Sequence, residues 1–449
     1  MAYEEMAHTG QHAGPSITLK GRQERKLIRS SGSKRYIDFV IQVGQMPDTT
    51  KPPRRPLKLA LVLDRSGSMQ GDKIETAKKA VLAVLDQLAS RDQMAVVIFD
   101  DHIDVIQKLA PVTAEYKSQL RSALQMVQAR ANTALHEGWL TGCNAITEAV
   151  EGKGNSIARC FLLTDGIANV GVTDPERIAG ETAGVREHTG ISTSTFGIGN
   201  DYNELLLGPM AVAGGGQFHH LRTAEEIIKT FVGELGGMLT VAASQVRLEM
   251  KTEPGVQSEL LSAYWERDSD GKMGLHSIAL GDLQKEEERH VVLRFDFPEQ
   301  SGREQQVVQA RVVWLAGDAE RSSAWQELRF TYASNSACDD EPQDADVMHW
   351  ASLNEVDKAR REAVRYNNQG DLARARASLG AAAAMVTPYA AHDQELQEEI
   401  QQLQALQQQI TAAPLAPASS KEVYYKQQGR SRNQKDYRSS EPDPGKKML

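Results

Sequence analysis

The chain has 449 residues, 40% of them hydrophobic, with a formal charge of −9 and a pI near 5.8. That length suits roughly two to four units of about 100 to 200 residues each, and the acidic balance argues against nucleic acid as a main partner, because phosphate binding needs a basic surface. No run approaches the ~18 apolar residues of a membrane span, and the opening MAYEEMAHTGQHAGPS carries acids and lacks the apolar stretch of a secretion signal.

In chain order, residues 1–16 are polar and expected to be disordered. Residues 17–56 hold two or three short strands around the SSGS turn, then the proline-rich linker QMPDTTKPPRRP. Strands and helices alternate across 57–238. LKLALVLD is an apolar strand run, and GDKIETAKKAVLAVLDQLAS is a helix with Ile74, Ala77, Val81, Leu85 and Leu88 on one face. MAVVIFDD is a second strand, TAEYKSQLRSALQMV and TALHEGWLTGCNAITEAV are helices, and ARCFLLTDG is a third strand. DPERIAGETAGVREHTG is a helix with Asp174 as N-cap and Pro175 at its first position. ISTSTFGIG and GQFHHL are strands separated by the helix YNELLLGPMAVA, and AEEIIKTFVGELGGML is the last helix of the run. Such alternation predicts an α/β fold, a doubly wound and mostly parallel sheet with helices on both faces.

Over 239–335 the apolar period becomes two, in segments such as VRLEM, RHVVLRFDF and QQVVQARVVWL, which predicts an antiparallel β-sandwich. The early strands are expected to pair with it, because two or three isolated strands are too few to be stable; the α/β unit then lies inserted in, or flanked by, that sandwich. An acidic linker is expected over 336–346, helices over 347–412, and a disordered basic tail over 413–449. The first two helices join at NNQGD, with Gly370 ending one and Asp371 capping the next, and resemble a single tetratricopeptide-type unit, a packing appendage. Cys143, Cys160 and Cys338 fit no metal-finger or disulfide spacing, so reduced thiols in a cytoplasmic protein are expected.

The candidate site starts at Asp64, which ends the first strand of the alternating region. In open parallel sheets ligands gather beyond the carboxyl ends of the strands, and Asp165 ends another strand in FLLTDG. Carboxylates and hydroxyls are hard oxygen donors of the kind Mg²⁺ prefers. The turn after Asp64 spaces Ser66 and Ser68 at alternate positions with Gly67 between them, and Thr133 in ANTALHEG supplies a further hydroxyl to close a cage.

D-R-S-G-S at 64–68, Thr133 and T-D-G at 164–166 resemble the metal-ion-dependent adhesion site of von Willebrand factor type A domains, a likeness that spans roughly 57–236. The resemblance implies that Ser66, Ser68 and Thr133 touch Mg²⁺, with Mn²⁺ and Ca²⁺ as alternatives, while Asp64 and Asp165 act through water. It also implies capture of an Asp or Glu of another protein at the metal, with a shift of the last helix. Many relatives carry glycine two positions before the threonine; here that position is Ala131.

Other readings bear on the same residues. Asp64 and its serines would by themselves serve as a strand-to-helix turn that caps the helix near Asp72. Haloacid dehalogenase-like phosphatases also place an aspartate after an apolar strand, yet they need a second aspartate where this chain has Ser66. No phosphate loop and no Gly-x-Ser-x-Gly elbow occurs, so a non-enzymatic binding module is expected. Its roles run from metal-bridged recognition of an acidic protein, through service as an accessory subunit of an AAA-type ATPase, to a metal-indifferent scaffold. Of the remaining polar groups, strand alternation predicts one of His219 and His220 in the core and the other in solvent. Asp100 and Asp101 read as a solvated loop, and Gly214 to Gly216 as a turn.

Overall fold

The computed structural model describes residues 16–44, 55–130, 132–148, 156–238, 240–268, 275–317, 319–432 and 436–438. The expected disorder at the N-terminus falls, apart from Ser16, outside these residues, as do the centre of the proline-rich linker and the end of the chain.

Three strands come first, β1 Ile17–Gln23, β2 Leu27–Arg29 and β3 Ser33–Val43. The alternating run opens with β4 Leu57–Asp64, α1 Asp72–Gln87, β5 Gln93–Phe99, β6 Ile103–Pro111, α2 Ala114–Gln125 and α3 Leu135–Thr147. It continues through β7 Ile157–Thr164, α4 Pro175–Thr189, β8 Ser192–Ile198, α5 Glu204–Ala213, β9 Gly215–Leu221 and α6 Ala224–Met238. Further strands follow: β10 Val241–Thr252, β11 Gln257–Leu260, β12 Trp265–Asp268, β13 Leu275–Gln284, β14 Glu288–Phe297, β15 Gln305–Ala316, β16 Ala319–Ser322 and β17 Gln326–Ala333. Helices α7 Asn335–Asp340, α8 Ala345–Asn368, α9 Leu372–Val386, α10 Gln394–Ala412 and α11 Pro417–Ser431 complete it.

The alternating run builds one sheet in the order β6-β5-β4-β7-β8-β9. Every neighbouring pair is parallel except β5 with β6. Strand β6 has no counterpart in the sequence reading. It is an edge strand with both faces partly wet, so it lacks the apolar run that marks the buried strands. Helices cover both faces of the sheet: α1 and α6 bury Val81, Leu85, Phe231 and Leu235 on one side, and α3 and α5 bury Trp139, Leu207 and Met210 on the other.

Two further sheets, β1-β3-β14-β11 and β12-β13-β10-β15-β17-β2, face each other across a core that includes Phe39, Leu248, Phe295, Val312 and Phe330. Strand β3 pairs antiparallel with β14, and β2 pairs parallel with β17. Residues on either side of the α/β layer therefore make one sandwich, into which that layer is inserted. The joint between them is ionic: Asp282 of β13 accepts bonds from Arg159 of β7, from Arg186 of α4 at 2.6 Å and from the Gln245 amide at 2.9 Å. Burial alone would raise this carboxyl, but the two guanidinium charges hold it far below the usual range.

The C-terminal expectations need correction. The stretch over 336–346 is no loose linker: it contains α7, the Glu341 carboxylate accepts the Lys26 and Leu27 amides at 2.9 Å each, and Asp344 accepts from Arg22 at 2.8 Å while capping α8. The segment from 413 is also not a disordered tail as far as Arg432, because α11 packs back on the α/β layer. Tyr424 rests against Gly208 of α5, the Gln428 amide reaches the Gly208 carbonyl at 3.2 Å, and Arg432 reaches the Gly216 carbonyl at 2.9 Å. Lys421 pairs with buried Glu204 at 3.1 Å. The helix is held mainly by polar side chains that meet matched buried groups, so its sequence shows no apolar stripe.

His219 and His220 are both buried, contrary to the one-in, one-out expectation, because β9 is covered on each face. His219 Nε2 meets Glu234 of α6 at 3.1 Å, and His220 Nδ1 meets the Tyr202 hydroxyl at 2.7 Å. Burial pushes His220 down to about 4. The unfolded chain therefore takes up a proton at this site near pH 6.5 while the folded chain does not until about pH 4. Stability from this group is complete above pH 6.5 and is lost as the pH falls, by at most about 3 kcal/mol. Urea titrations at pH 7.5 and pH 5 should give a steeper loss for the native chain than for His220→Gln.

Candidate metal centre

Strand β4 is buried on both faces and delivers Asp64 to the carboxyl edge of the sheet with no exposed surface. There Asp64 Oδ1 accepts the Ser66 amide at 2.7 Å and Oδ2 accepts the Thr164 hydroxyl at 2.5 Å. The following turn is pinned by Met69, fully buried, whose amide bonds the Ser66 carbonyl at 3.0 Å. Gly71 then takes φ 80°, a conformation natural to glycine, and starts α1.

The turn brings the Ser66 and Ser68 hydroxyls to 3.1 Å from each other, and Ser68 donates to Asp165 Oδ1 at 2.7 Å. Thr133 is 3% exposed. Its amide is held by Asn169 Oδ1 at 2.9 Å, and its carbonyl accepts the Asn169 amide at 3.2 Å. A methyl group placed on Gly166 would lie 3.3 Å from both the Ser68 and Thr133 hydroxyls and 3.6 Å from Asp64 Oδ2. The five side chains Asp64, Ser66, Ser68, Thr133 and Asp165, spread over a hundred positions, thus meet at one lip of the sheet, and a side chain at 166 would crowd the space beside them. Ala131, where relatives carry glycine, lies outside the described residues.

The donor set suits a hard divalent cation: two carboxylates and three hydroxyls, with no sulfur or imidazole among them. Burial pushes the Asp64 carboxyl up to about 6 despite bonds from Thr164 and Ser66, and the neighbouring Asp165 adds to the rise. Such a carboxylate gains from a nearby positive charge. The neighbouring Asp165 has one in Lys73, the second residue of α1, whose Nζ lies 2.5 Å from Asp165 Oδ2 and 3.5 Å from Asp201 Oδ2. Partial burial disfavours its ammonium, but the bond to Asp165 raises its affinity for the proton overall.

Three residues of this centre escaped the sequence reading. Thr164 sits inside the T-D-G motif and had a signal there. Asn169 and Lys73 had none, since each acts across loops that only the fold brings together. Asp100 also differs from its expected place in a solvated loop. It is fully buried, accepting from Arg65 Nε at 2.9 Å, Arg130 Nε at 2.6 Å and the His102 amide at 2.7 Å. Burial would raise its carboxyl; bonds from Arg130 and the His102 amide and the Arg65 charge keep it below the usual range. The pair Arg65 and Arg130 so fixed ties the Asp64 turn to the loop that carries Thr133, and the Arg130 amide bonds the Arg65 carbonyl at 2.7 Å.

The profile of the von Willebrand factor type A domain matches residues 58–233. An uncharacterized protein, sll0103 of Synechocystis, is 28% identical over 247 residues, which make up 54% of this chain and 57% of that protein. The chain spans about half the length of the curated relatives it matches. A von Willebrand factor type A structure from Catenulispora acidiphila is similar to it with a TM-score of 0.67 at 17% identity, covering 86% of this chain and 89% of the other. The ArnB paralog VWA2 from Sulfolobus acidocaldarius is similar at a TM-score of 0.58 and 14% identity, covering 94% and 99% of the two chains. Both structures share the fold well beyond the matched region, so the sandwich and helices around the α/β layer recur with it. On sequence and fold together, the protein carries a von Willebrand factor type A domain between the strands of a β-sandwich.

Proposed function

We propose that the protein is a non-enzymatic, metal-dependent binding module of the cytoplasm that captures an acidic side chain of another protein. Asp64, Ser66, Ser68, Thr133 and Asp165 would hold Mg²⁺, and the metal would supply a Lewis-acidic point for an incoming carboxylate. The observation that carries this reading is the convergence of oxygens from three loops around the space that a side chain on Gly166 would fill. Domains of this family commonly mediate protein–protein interaction, and no helix among the described residues is long and apolar enough to cross a membrane.

The rim supports a protein partner. Ile167 stands two residues beyond Asp165 with 59% of its surface exposed, one of few large apolar side chains so exposed among the described residues. An apolar contact beside a charged anchor is the usual composition of a recognition patch. Affinity capture from the native host in Mg²⁺ and in EDTA tests the reading. Partners that come down only in Mg²⁺ are expected, and an unchanged set of partners in EDTA would point to a metal-indifferent scaffold instead.

A further inference from the structure

The ammonium of Lys73 raises a question that the oxygen cage does not answer. Lys73 is the second residue of α1, where the helix presents its positive end. A cation there is unfavourable by about 0.3 to 1 kcal/mol, and the acids Asp72 and Glu75 in the same turn are the residues a helix start favours. The position makes sense once its contacts are considered: Nζ lies against Asp165 Oδ2, whose other oxygen is bonded to Ser68. Asp165 has no exposed side-chain surface, while the Lys73 side chain is 32% exposed.

A second acceptor waits beside it. Asp201 Oδ2 lies 3.5 Å from Nζ on a side chain that is 72% exposed. The end of the Lys73 side chain runs beside Gly199, where an added methyl group would lie 3.8 Å from Cε and 3.9 Å from Nζ. We infer that Lys73 is a resident counter-cation of the metal centre: it neutralises Asp165 in the metal-free protein, competes with the divalent ion for that carboxylate, and moves to Asp201 when the ion enters. The inference rests on the metal-binding reading above and adds to it how occupancy is set.

The exchange also has a route into the rest of the molecule. Asp201 belongs to the turn that runs into α5, whose first residue, Glu204, holds Lys421 of α11 at 3.1 Å and Asn368 at the end of α8 at 2.9 Å.

Isothermal titration of the full chain with MgCl₂ alone tests the inference, read against Lys73→Met and Asp201→Asn. Lys73→Met keeps the stem and removes the competing charge, so Mg²⁺ should bind roughly three- to tenfold tighter, the range of a partly buried ion pair. Asp201→Asn removes the alternative acceptor, so Mg²⁺ should bind more weakly, and the double variant should match Lys73→Met. Equal or weaker binding by Lys73→Met, with native binding intact, overturns the inference and leaves the metal-binding reading standing. Absence of Mg²⁺ binding in every variant overturns both, and binding gained only on removal of Lys73 supports both.

Discussion

Asp64→Ala should abolish Mg²⁺ binding and every Mg²⁺-dependent capture. Of the two carboxylates of the proposed centre, Asp64 is the one that comes from the central strand β4, and its bonds organise the turn beside it. One of its oxygens fixes the Ser66 amide and the other the Thr164 hydroxyl, so its removal takes away a charge and also frees the turn that sets the Ser66 and Ser68 hydroxyls. Partners outside the immediate ligand set of a metal are commonly worth about 10- to 100-fold in affinity, so loss of a residue that both charges and shapes the site should exceed about a hundredfold. The alanine leaves the Ser66 N–H and the Thr164 O–H without their acceptor, at a cost of about 1 to 3 kcal/mol each, although the Thr164 oxygen still accepts the Gly166 amide. That cost is offset in part because a buried carboxylate no longer has to be desolvated. Asp64→Asn separates charge from shape. Its amide oxygen can still accept from Ser66, so the fold should hold while Mg²⁺ binding falls. Calorimetric titration with MgCl₂ alongside thermal melts decides the matter: unchanged Mg²⁺ affinity in both variants would remove Asp64 from the metal centre.

Much of this architecture was legible because the physics that reveals it is local. Buried strands such as β4 and β7 are apolar runs interrupted only near their starts by Lys58 and Arg159, helix starts such as Asp174 carry their caps, and Asp64 and Asp165 stand at strand ends where a parallel sheet gathers ligands. Features settled by distant partners left no such trace. Strand β6 is wet on both sides and α11 is polar, so neither has a periodicity to find. Asp100 and Asp101 look alike in sequence, yet two arginines from other loops bury the first and not the second. His219 and His220 obey strand alternation in direction; they fail its corollary of exposure because α11 covers the face that was expected to be wet. The candidate site was legible as a set of five oxygen donors, and the neighbours Lys73 and Asn169 were not, since a lysine at a helix start and an asparagine in a loop are ordinary residues until the fold aims them.

The hold of α11 can be measured directly through Arg430. Its Nε lies 3.1 Å from Asp357 Oδ2 and its other guanidinium nitrogens bond the second oxygen of Asp357 and Glu399, so one side chain fastens α11 to α8 and α10 together. The Asp357 side chain is 1% exposed, and burial raises its carboxyl even with Arg430 in place. Among the described residues, Arg430→Ala leaves that carboxylate with Arg360 at 3.7 Å as its other ion-pair partner, and Arg360 is already engaged by Glu399 at 2.6 Å. Removing one partner of a buried pair generally costs about 3 to 5 kcal/mol, far above the roughly 0.5 kcal/mol of a surface substitution. The sign with pH follows from the same charge. Without Arg430 the folded state favours protonated Asp357 more strongly, so the variant loses stability as the pH rises through that raised value, and its deficit against the native chain should be larger at pH 7 than at pH 5. Arg430→Met keeps the stem packing and should lie close to alanine, which assigns the loss to charge. Urea unfolding of the three chains at both pH values reads the result, and a deficit within about 0.5 kcal/mol for Arg430→Ala would mean that the last helix is not fastened to the body of the protein.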